Sequence, residues 1–168
     1  MTLSRSDFLP VAATLLSLSS GMASAGAHAA SKAPIGCFVR AYDSAHLSDH
    51  RSQQTRRLQI RVEPSQHDFG KTDFGMIVWI RGKSQAWRAG GRCEPDPKGW
   101  RCIPDTDGAS PLFLTPVGRN LRLANPGSLK VSDDVTGPDL NDTSLGAPGD
   151  VSFLLMPAKS SACTDAGS

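Results

Sequence analysis

The sequence predicts an all-β fold, an antiparallel barrel of about eight strands, from three observations. Short apolar segments recur at intervals of roughly eight to twelve residues, with turn-forming residues between them. No stretch has the spacing of an amphipathic helix. Four cysteines suit two disulfides, and one of these bonds would join the first strand to the last. Closure of a sheet into a barrel makes the same two strands neighbours and removes the sheet edges. A β-sandwich or a β-trefoil is the alternative.

The first 29 residues predict a secretory signal peptide. Arg5 precedes an apolar run from Phe8 to Leu18, and small residues follow as far as Ala29. The run is shorter than the ~20 residues that a permanent membrane helix needs. We therefore expect an exported chain, periplasmic or secreted, with no integral membrane segment after cleavage. In this chain residues 30–36 are predicted to form a short linker, 37–163 a single β-rich domain and 164–168 a tail.

The individual strands are predicted from alternation of apolar and polar residues. GCFVRAYD at 36–43 alternates as a strand does, and TRRLQIRVEP at 55–64 places Leu58, Ile60 and Val62 on one face. The most apolar run, Met76 to Ile80, predicts a central strand. Further short strands are predicted within WRCIPDTDG, SPLFLTPVGR, NLRLANPG, SLKVSDD and VSFLLMPA, and residues 136–150 are predicted to be a long polar excursion.

The cysteines predict two structural disulfides. Cys93 and Cys102 flank PDPKG, whose proline and glycine residues favour a reversing turn, so a bond at the base of a hairpin is expected. Cys37 and Cys163 would then join the first strand to the last. A zinc site is not favoured, since no CxxC pair is present. Loop entropy predicts about 4 kcal/mol or more for the long closure and about 2.5–3 for the short one.

Several of these motifs together resemble a known group of proteins. The sequence contains CFxRxYxxAHLxxH from Cys37, then GGxC, WxC, DxDG and LxL before a final cysteine. This pattern resembles small exported disulfide-bonded proteins of uncharacterised function from proteobacteria, over nearly the whole predicted domain. The resemblance implies export and a disulfide-bonded β fold, and no activity. Such relatives often carry a further cysteine pair near the positions of Thr106 and Asn125, which this chain lacks.

Charge is nearly balanced overall but unevenly distributed. The net charge is +2, from 18 Lys and Arg against 16 Asp and Glu, which argues against a nucleic-acid partner. Residues 37–101 hold 12 basic against 7 acidic residues, and residues 102–168 hold 4 against 8. Such asymmetry either attracts an anionic partner or lets the two halves pair with each other.

Arginines supply the first candidate site. Arg56, Arg57 and Arg61 lie on the predicted strand at 55–64, and three more arginines lie on the segments that follow, at positions 81, 88 and 92. Their guanidinium groups suit an anionic polymer, a lipid headgroup or an acidic protein surface. We predict that Arg56, Arg57 and Arg61, together with His46 and His50, form a binding surface.

A polar stretch, YDSAHLSDH at 42–50, supplies the second candidate site. On a helical turn His46 and His50 would face the same way, with Asp43 one turn earlier. Imidazole and carboxylate could hold Zn²⁺ or Cu²⁺, although the Glu of a metalloprotease HExxH motif is missing. The alternative is a polar loop whose histidines bond to backbone or water.

No catalytic residue is predicted, because neither a GxSxG elbow nor an SxxK motif is present, and no cofactor is expected. The sequence favours a monomeric exported domain that binds an envelope protein or a small ligand. One alternative is a metal-binding protein or metal-dependent enzyme that uses His46 and His50. Another, suggested by compartment and size, is an inhibitor of a lytic hydrolase such as lysozyme.

Overall fold

The computed structural model describes residues 32–127, 129–133, 142–146 and 148–166 of the 168-residue chain. The predicted signal peptide lies outside the described residues. The described strands are β1 Gly36–Ala41, β2 Thr55–Pro64, β3 Thr72–Ile80, β4 Ala86–Asp96, β5 Gly99–Pro104, β6 Leu112–Val117, β7 Asn120–Ala124, β8 Leu129–Ser132, β9 Asp142–Leu145 and β10 Ser152–Ala158. The helical elements are α1 (Ser44–Asp49) and two 3₁₀ segments, Pro148–Asp150 and Ser160–Ala166. Within these ranges no helix has the length and apolar character needed to span a membrane.

Eight of the strands close into one antiparallel barrel. Each strand from β1 to β7 pairs with the next in sequence, and β10 closes the ring between β7 and β1. Cys37 on β1 lies opposite Ala158 on β10, so the first and last strands are neighbours. The predicted all-β barrel of about eight strands is therefore confirmed over the sandwich and the trefoil.

Side chains fill the interior of the barrel. On β2, Leu58, Ile60 and Val62 all point inward and are buried, as their alternation predicted. The same core cluster receives side chains from every other barrel strand. Large side chains that are almost completely buried in it include those of Phe153, Met76, Leu112, Leu114, Leu121, Leu123 and Leu155. Each such burial stabilises the fold by about 1.5–3 kcal/mol. Binding surfaces must therefore be sought on the outside of the barrel.

The β8 and β9 strands form a hairpin attached to the barrel at β4. Arg88 of β4 lies opposite Ser132 of β8, and Leu129 and Val131 join the main core. Leu145 of β9 is also buried in that core. The prediction of a polar excursion over 136–150 was therefore wrong at 142–145, since pairing with β8 provides the hydrogen bonds that so short a polar strand needs.

The 3₁₀ segment Ser160–Ala166, here called the C-terminal segment, packs on the outer face of β1, β2 and β3. It forms a second small apolar cluster there, in which Cys37, Ile77 and Cys163 are buried. Ile77 points away from the barrel interior, yet only 2% of its surface is exposed. The run from Met76 to Ile80 is apolar on both faces because both faces are covered.

Both predicted disulfides are present. Cys37 is bonded to Cys163 across 126 positions of sequence, and Cys93 to Cys102 across 9. The two cysteines of the short bond lie directly opposite each other in the β4–β5 hairpin. Its turn is held by Asp96, whose Oδ1 accepts a hydrogen bond of 3.0 Å from the backbone N–H of Lys98. Disulfide bonds are typical of chains that fold in an oxidising compartment.

Candidate functional site

A β-bulge exposes two of the predicted binding arginines side by side. The pairing of β2 with β3 shifts between Thr55 and Arg57, which makes Arg56 the extra residue. Arg56 and Arg57 are both exposed, and the next residue, Leu58, turns into the core. Strict alternation would have placed only one of the two arginines outside.

The side chain of Arg57 is held in place by its neighbours. Its guanidinium carbon lies 4.7 Å from the centroid of the Trp79 ring, the residue opposite it on β3. Its Nη2 donates a hydrogen bond of 3.3 Å to Oε1 of Gln59. Trp79 is half-buried on the outer surface, whereas the other two tryptophans, at 87 and 100, lie in the main core. The cation–π contact fixes the orientation of the charged group while leaving it exposed.

Other arginines of the predicted basic face are paired with carboxylates. Arg61 forms an ion pair of 2.9 Å with Glu63 on the same strand, and Arg92 lies 3.8 Å from Asp68. The positive charge of Arg61 is therefore opposed locally, which weakens its predicted part in binding an anion. Within the described ranges, no ion pair with a carboxylate is formed by Arg56 or Arg57.

Hydrogen bonds connect Arg56 and Arg81 to the short helix and to the residues just before it. The carbonyl oxygen of Arg56 accepts a bond of 2.9 Å from the backbone N–H of Tyr42. Nη1 of Arg81, just after β3, donates a bond of 2.9 Å to the carbonyl oxygen of Leu47 in α1. We call this region the basic end; it consists of Arg56, Arg57, Trp79, Arg81 and α1.

His46 of α1 and His50, which follows the helix, belong to a continuous stack of rings. Oδ1 of Asp43 accepts a bond of 2.7 Å from the N–H of His46 and so caps the helix. The imidazoles of His46 and His50 are stacked, with centroids 4.0 Å apart and planes inclined by 12°. Tyr42 stacks on the other face of this pair at 4.6 Å from His46, and the guanidinium of Arg40 lies 4.9 Å over Tyr42. The predicted same-side placement of His46 and His50 is thus observed.

In this stack the candidate metal ligands of the sequence, Asp43, His46 and His50, make other contacts. The lone pairs of an imidazole lie in its plane, and two nearly parallel planes 4.0 Å apart do not converge on one ion. His46 Nε2 contacts Oε1 of Gln53 at 3.2 Å, His50 Nδ1 contacts the carbonyl oxygen of His46 at 2.9 Å, and the Asp43 carboxylate caps the helix. In the part of the chain that the structure describes, no three His, Cys, Asp or Glu side chains group as metal ligands.

Among the residues that the structure describes, two titratable groups have pKa values displaced from their ordinary range. Burial raises the pKa of Tyr42, and the nearby positive charge of Arg40 offsets part of this effect. The hydrogen bond and positive charge of Lys71, with a smaller contribution from Arg92, lower the pKa of Asp68. Tyr42 therefore stays neutral, and Asp68 ionised, at physiological pH.

A groove of about 610 Å³ crosses the outside of β3 and β4, where Gly75 lies opposite Gly90. Both positions face outward, so the absence of side chains exposes the sheet at the floor of the groove. The next residue, Gly91, has another role, because a Cβ there would collide with the carbonyl oxygen of Ile103. The charged and titratable side chains that line the groove are Glu63, His67, Asp73, Arg88, Arg92 and Asp105.

Phe69, which has no part in the predicted sites, lies at the tip of the loop 65–71 between β2 and β3. Its side chain is fully exposed, at 106% of the reference value. Its exposure could have been suspected from the sequence around it. In SQHDFGK, Phe69 is a large apolar side chain among turn-forming and polar residues, and a glycine follows it.

These features define a class of protein: a closed antiparallel β-barrel with a filled interior, two disulfides and an exposed basic end. Comparison with known proteins adds no relative, since no family model, no curated protein and no solved structure matches the chain. The resemblance to small exported proteobacterial proteins therefore stays a prediction.

Proposed function

We propose that this protein is an exported binding domain, acting in the periplasm or outside the cell, whose basic end recognises an acidic surface on an envelope protein. The observation that carries the proposal is the adjacent pair Arg56 and Arg57, exposed by a β-bulge and without an ion pair to any described carboxylate. The two disulfides support the compartment, because such bonds persist where the surroundings are oxidising.

Preorganisation favours Arg57 as the central contact. Its guanidinium rests on Trp79 and is bonded to Gln59, so less rotamer freedom remains to be lost on binding. The outward edge of a guanidinium bonds a carboxylate through parallel N–H groups, a geometry that Lys does not provide. Arg56 adds a second charge at the adjacent position. Together they suit paired Asp or Glu side chains.

The helix α1 forms the border of this surface. Arg81 joins it to the turn after β3, and the Asp43 cap, with the stack of Tyr42, His46 and His50, fixes its short length. In this proposal His46 and His50 shape the edge of the contact and hold no metal.

A small polar ligand is the second candidate, and the groove over Gly75 and Gly90 is the observation that favours it. The groove presents three carboxylates and two arginines, which suits a ligand that carries both charges. The filled interior argues against a ligand inside the barrel.

Charge reversal tests the basic end. In the variant Arg56→Glu/Arg57→Glu we expect at least a tenfold loss of affinity for a fluorescent polyglutamate probe and an equal loss of partner recovery from an envelope extract. A charged hydrogen bond is worth about 1.5–3 kcal/mol, and tenfold corresponds to about 1.4 kcal/mol. Fluorescence anisotropy at two salt concentrations measures the affinity.

Arg119→Glu/Arg122→Glu is the matched control, since Arg119 in the β6–β7 turn and Arg122 on β7 are both exposed and the net charge changes equally. We expect it to retain affinity within about threefold, as distant surface charges are screened. Equal losses in the two variants would mean that the probe senses only total charge and would refute the proposed site.

A further inference from the structure

The loop 65–71 is braced in one conformation that raises its tip. The backbone N–H of Ser65 donates a hydrogen bond of 3.0 Å to the carbonyl oxygen of Lys71. The backbone N–H of Lys71 donates one of 3.1 Å to the carbonyl oxygen of Asp68. Nζ of Lys71 also bonds Oδ2 of Asp68 at 2.8 Å. Gly70 turns the chain with φ of +83°, a value that favours glycine. These bonds close the loop below Phe69 and present its ring outward.

Phe69 does not stand alone on this surface. Ile103, on the outer face of β5, is also exposed, and it lies opposite Arg92 in the β4–β5 register. A depression of about 270 Å³ separates the loop from Ile103; the side chains that line it include Lys71, Arg92, Glu94 and Asp105. A single exposed apolar residue needs no explanation. Here, however, the loop that carries Phe69 and the exposed Ile103 border the same depression, through Lys71 and Ile103 itself, and this combination needs an explanation.

Charged pairs surround these apolar groups. Asp68 lies 2.8 Å from Lys71 and 3.8 Å from Arg92, and Glu94 lies 3.0 Å from Arg101. Mutually compensated charges therefore lie between and beside the two exposed apolar side chains. This is the arrangement of a protein interface, in which aromatic anchors lie inside a polar rim. A bilayer fits less well, because the ionised Asp68 beside Phe69 would be repelled by anionic headgroups.

We propose that the loop 65–71 is a protein-docking element, and that Phe69 inserts into an apolar pocket of a partner protein while Ile103 and the charged pairs form the surrounding contact. The convex shape of the loop requires a concave partner, such as the cleft of an enzyme. This surface is separate from the basic end: the β2–β3 register runs from Thr55 opposite Ile80 at the basic end to Pro64 opposite Thr72 at the loop.

Site-specific photocross-linking identifies the partner. A benzophenone amino acid replaces Phe69 in the full chain, and the same residue replaces Met156, an exposed apolar side chain on β10, as the control position. In an envelope extract we expect one protein cross-linked from position 69 and not from 156. That protein is then purified, and its affinity for the chain is measured by titration calorimetry.

For the purified partner, Phe69→Ala is expected to weaken binding about thirtyfold, the loss typical of a central aromatic anchor. Phe69→Trp should retain most of the affinity, Ile103→Ala should lose a few-fold, and Met156→Ala should lose none. Because Phe69 is fully exposed, thermal unfolding of Phe69→Ala should match the parent, which separates lost contact from lost fold.

Three results would overturn this proposal: no position-69 cross-link above the control, a purified partner bound equally by Phe69→Ala, or an occupant of another class. One such occupant is a second copy of this chain, which sedimentation velocity would detect as a Phe69-dependent dimer. Flotation with mixed phosphatidylcholine and phosphatidylglycerol vesicles would show a Phe69-dependent lipid contact. Failure here leaves the basic end untouched, because the Arg56→Glu/Arg57→Glu test uses other residues and another probe.

Discussion

The two disulfides cross-link the barrel in contrasting places. Cys37–Cys163 lies outside the barrel, where it fastens the C-terminal segment over Ile77 in the small outer cluster. Cys93–Cys102 lies within the main core and joins two strands that already face each other in a hairpin. The long bond therefore closes most of the described chain and holds a segment that is not itself a strand of the sheet, while the short bond reinforces a pairing that is already local.

This contrast shows that sequence separation and surroundings both determine what a cross-link contributes. A bond across 126 positions restricts the unfolded chain far more than one across 9. The C-terminal segment has no ladder of strand hydrogen bonds, so it depends more on the covalent bond than β5 does. The ranking of the two bonds can be tested directly.

The largest effect is expected from Cys37→Ala/Cys163→Ala. We predict a loss of about 4–5 kcal/mol in the free energy of unfolding, mainly from the greater entropy of the unfolded chain. Urea denaturation followed by tryptophan fluorescence measures the loss. Limited proteolysis should also cut first within the residues after β10, since Ser160–Ala166 loses its covalent attachment.

A smaller effect is expected from Cys93→Ala/Cys102→Ala. Loop entropy predicts a loss of about 2.5–3 kcal/mol, and both sites are buried, so the removed sulfur atoms add a modest packing cost. The same urea experiment gives the value. If this variant lost more stability than the variant of the long bond, core packing would outweigh chain entropy and the ranking given above would be reversed.

The smallest effect is expected from Ile77→Val, which tests the outer cluster without altering sulfur. Because Ile77 is buried beneath the C-terminal segment, removing one methylene should cost about 0.5–1.5 kcal/mol. Ile103→Val is the matched control at an exposed position and should change stability by less than about 0.5 kcal/mol. Equal values for the two would show that the segment does not shield Ile77 in solution.

Parts of the candidate site were within reach of sequence reasoning. The exposure of Arg57 and the shared side of His46 and His50 follow from local periodicity, and both are observed. The ion pair of Arg61 with Glu63 could also have been predicted, because residues two apart on a strand share a face. The bulge at Arg56 could not, since it depends on the register between two strands.

The sequence by itself determined the fold class, the strand alternation and both disulfide pairings, because two-residue periodicity and turn chemistry are local and an even number of cysteines in a chain with a predicted leader leaves few arrangements. Only the tertiary structure decided which surfaces are covered. Four features depend on strand register or on packing between distant residues. They are the C-terminal segment over Ile77, the floor of the groove at Gly75 and Gly90, the approach of Asp68 to Arg92 and the projection of Phe69. Local sequence carries no record of such contacts, because they form only when the barrel closes.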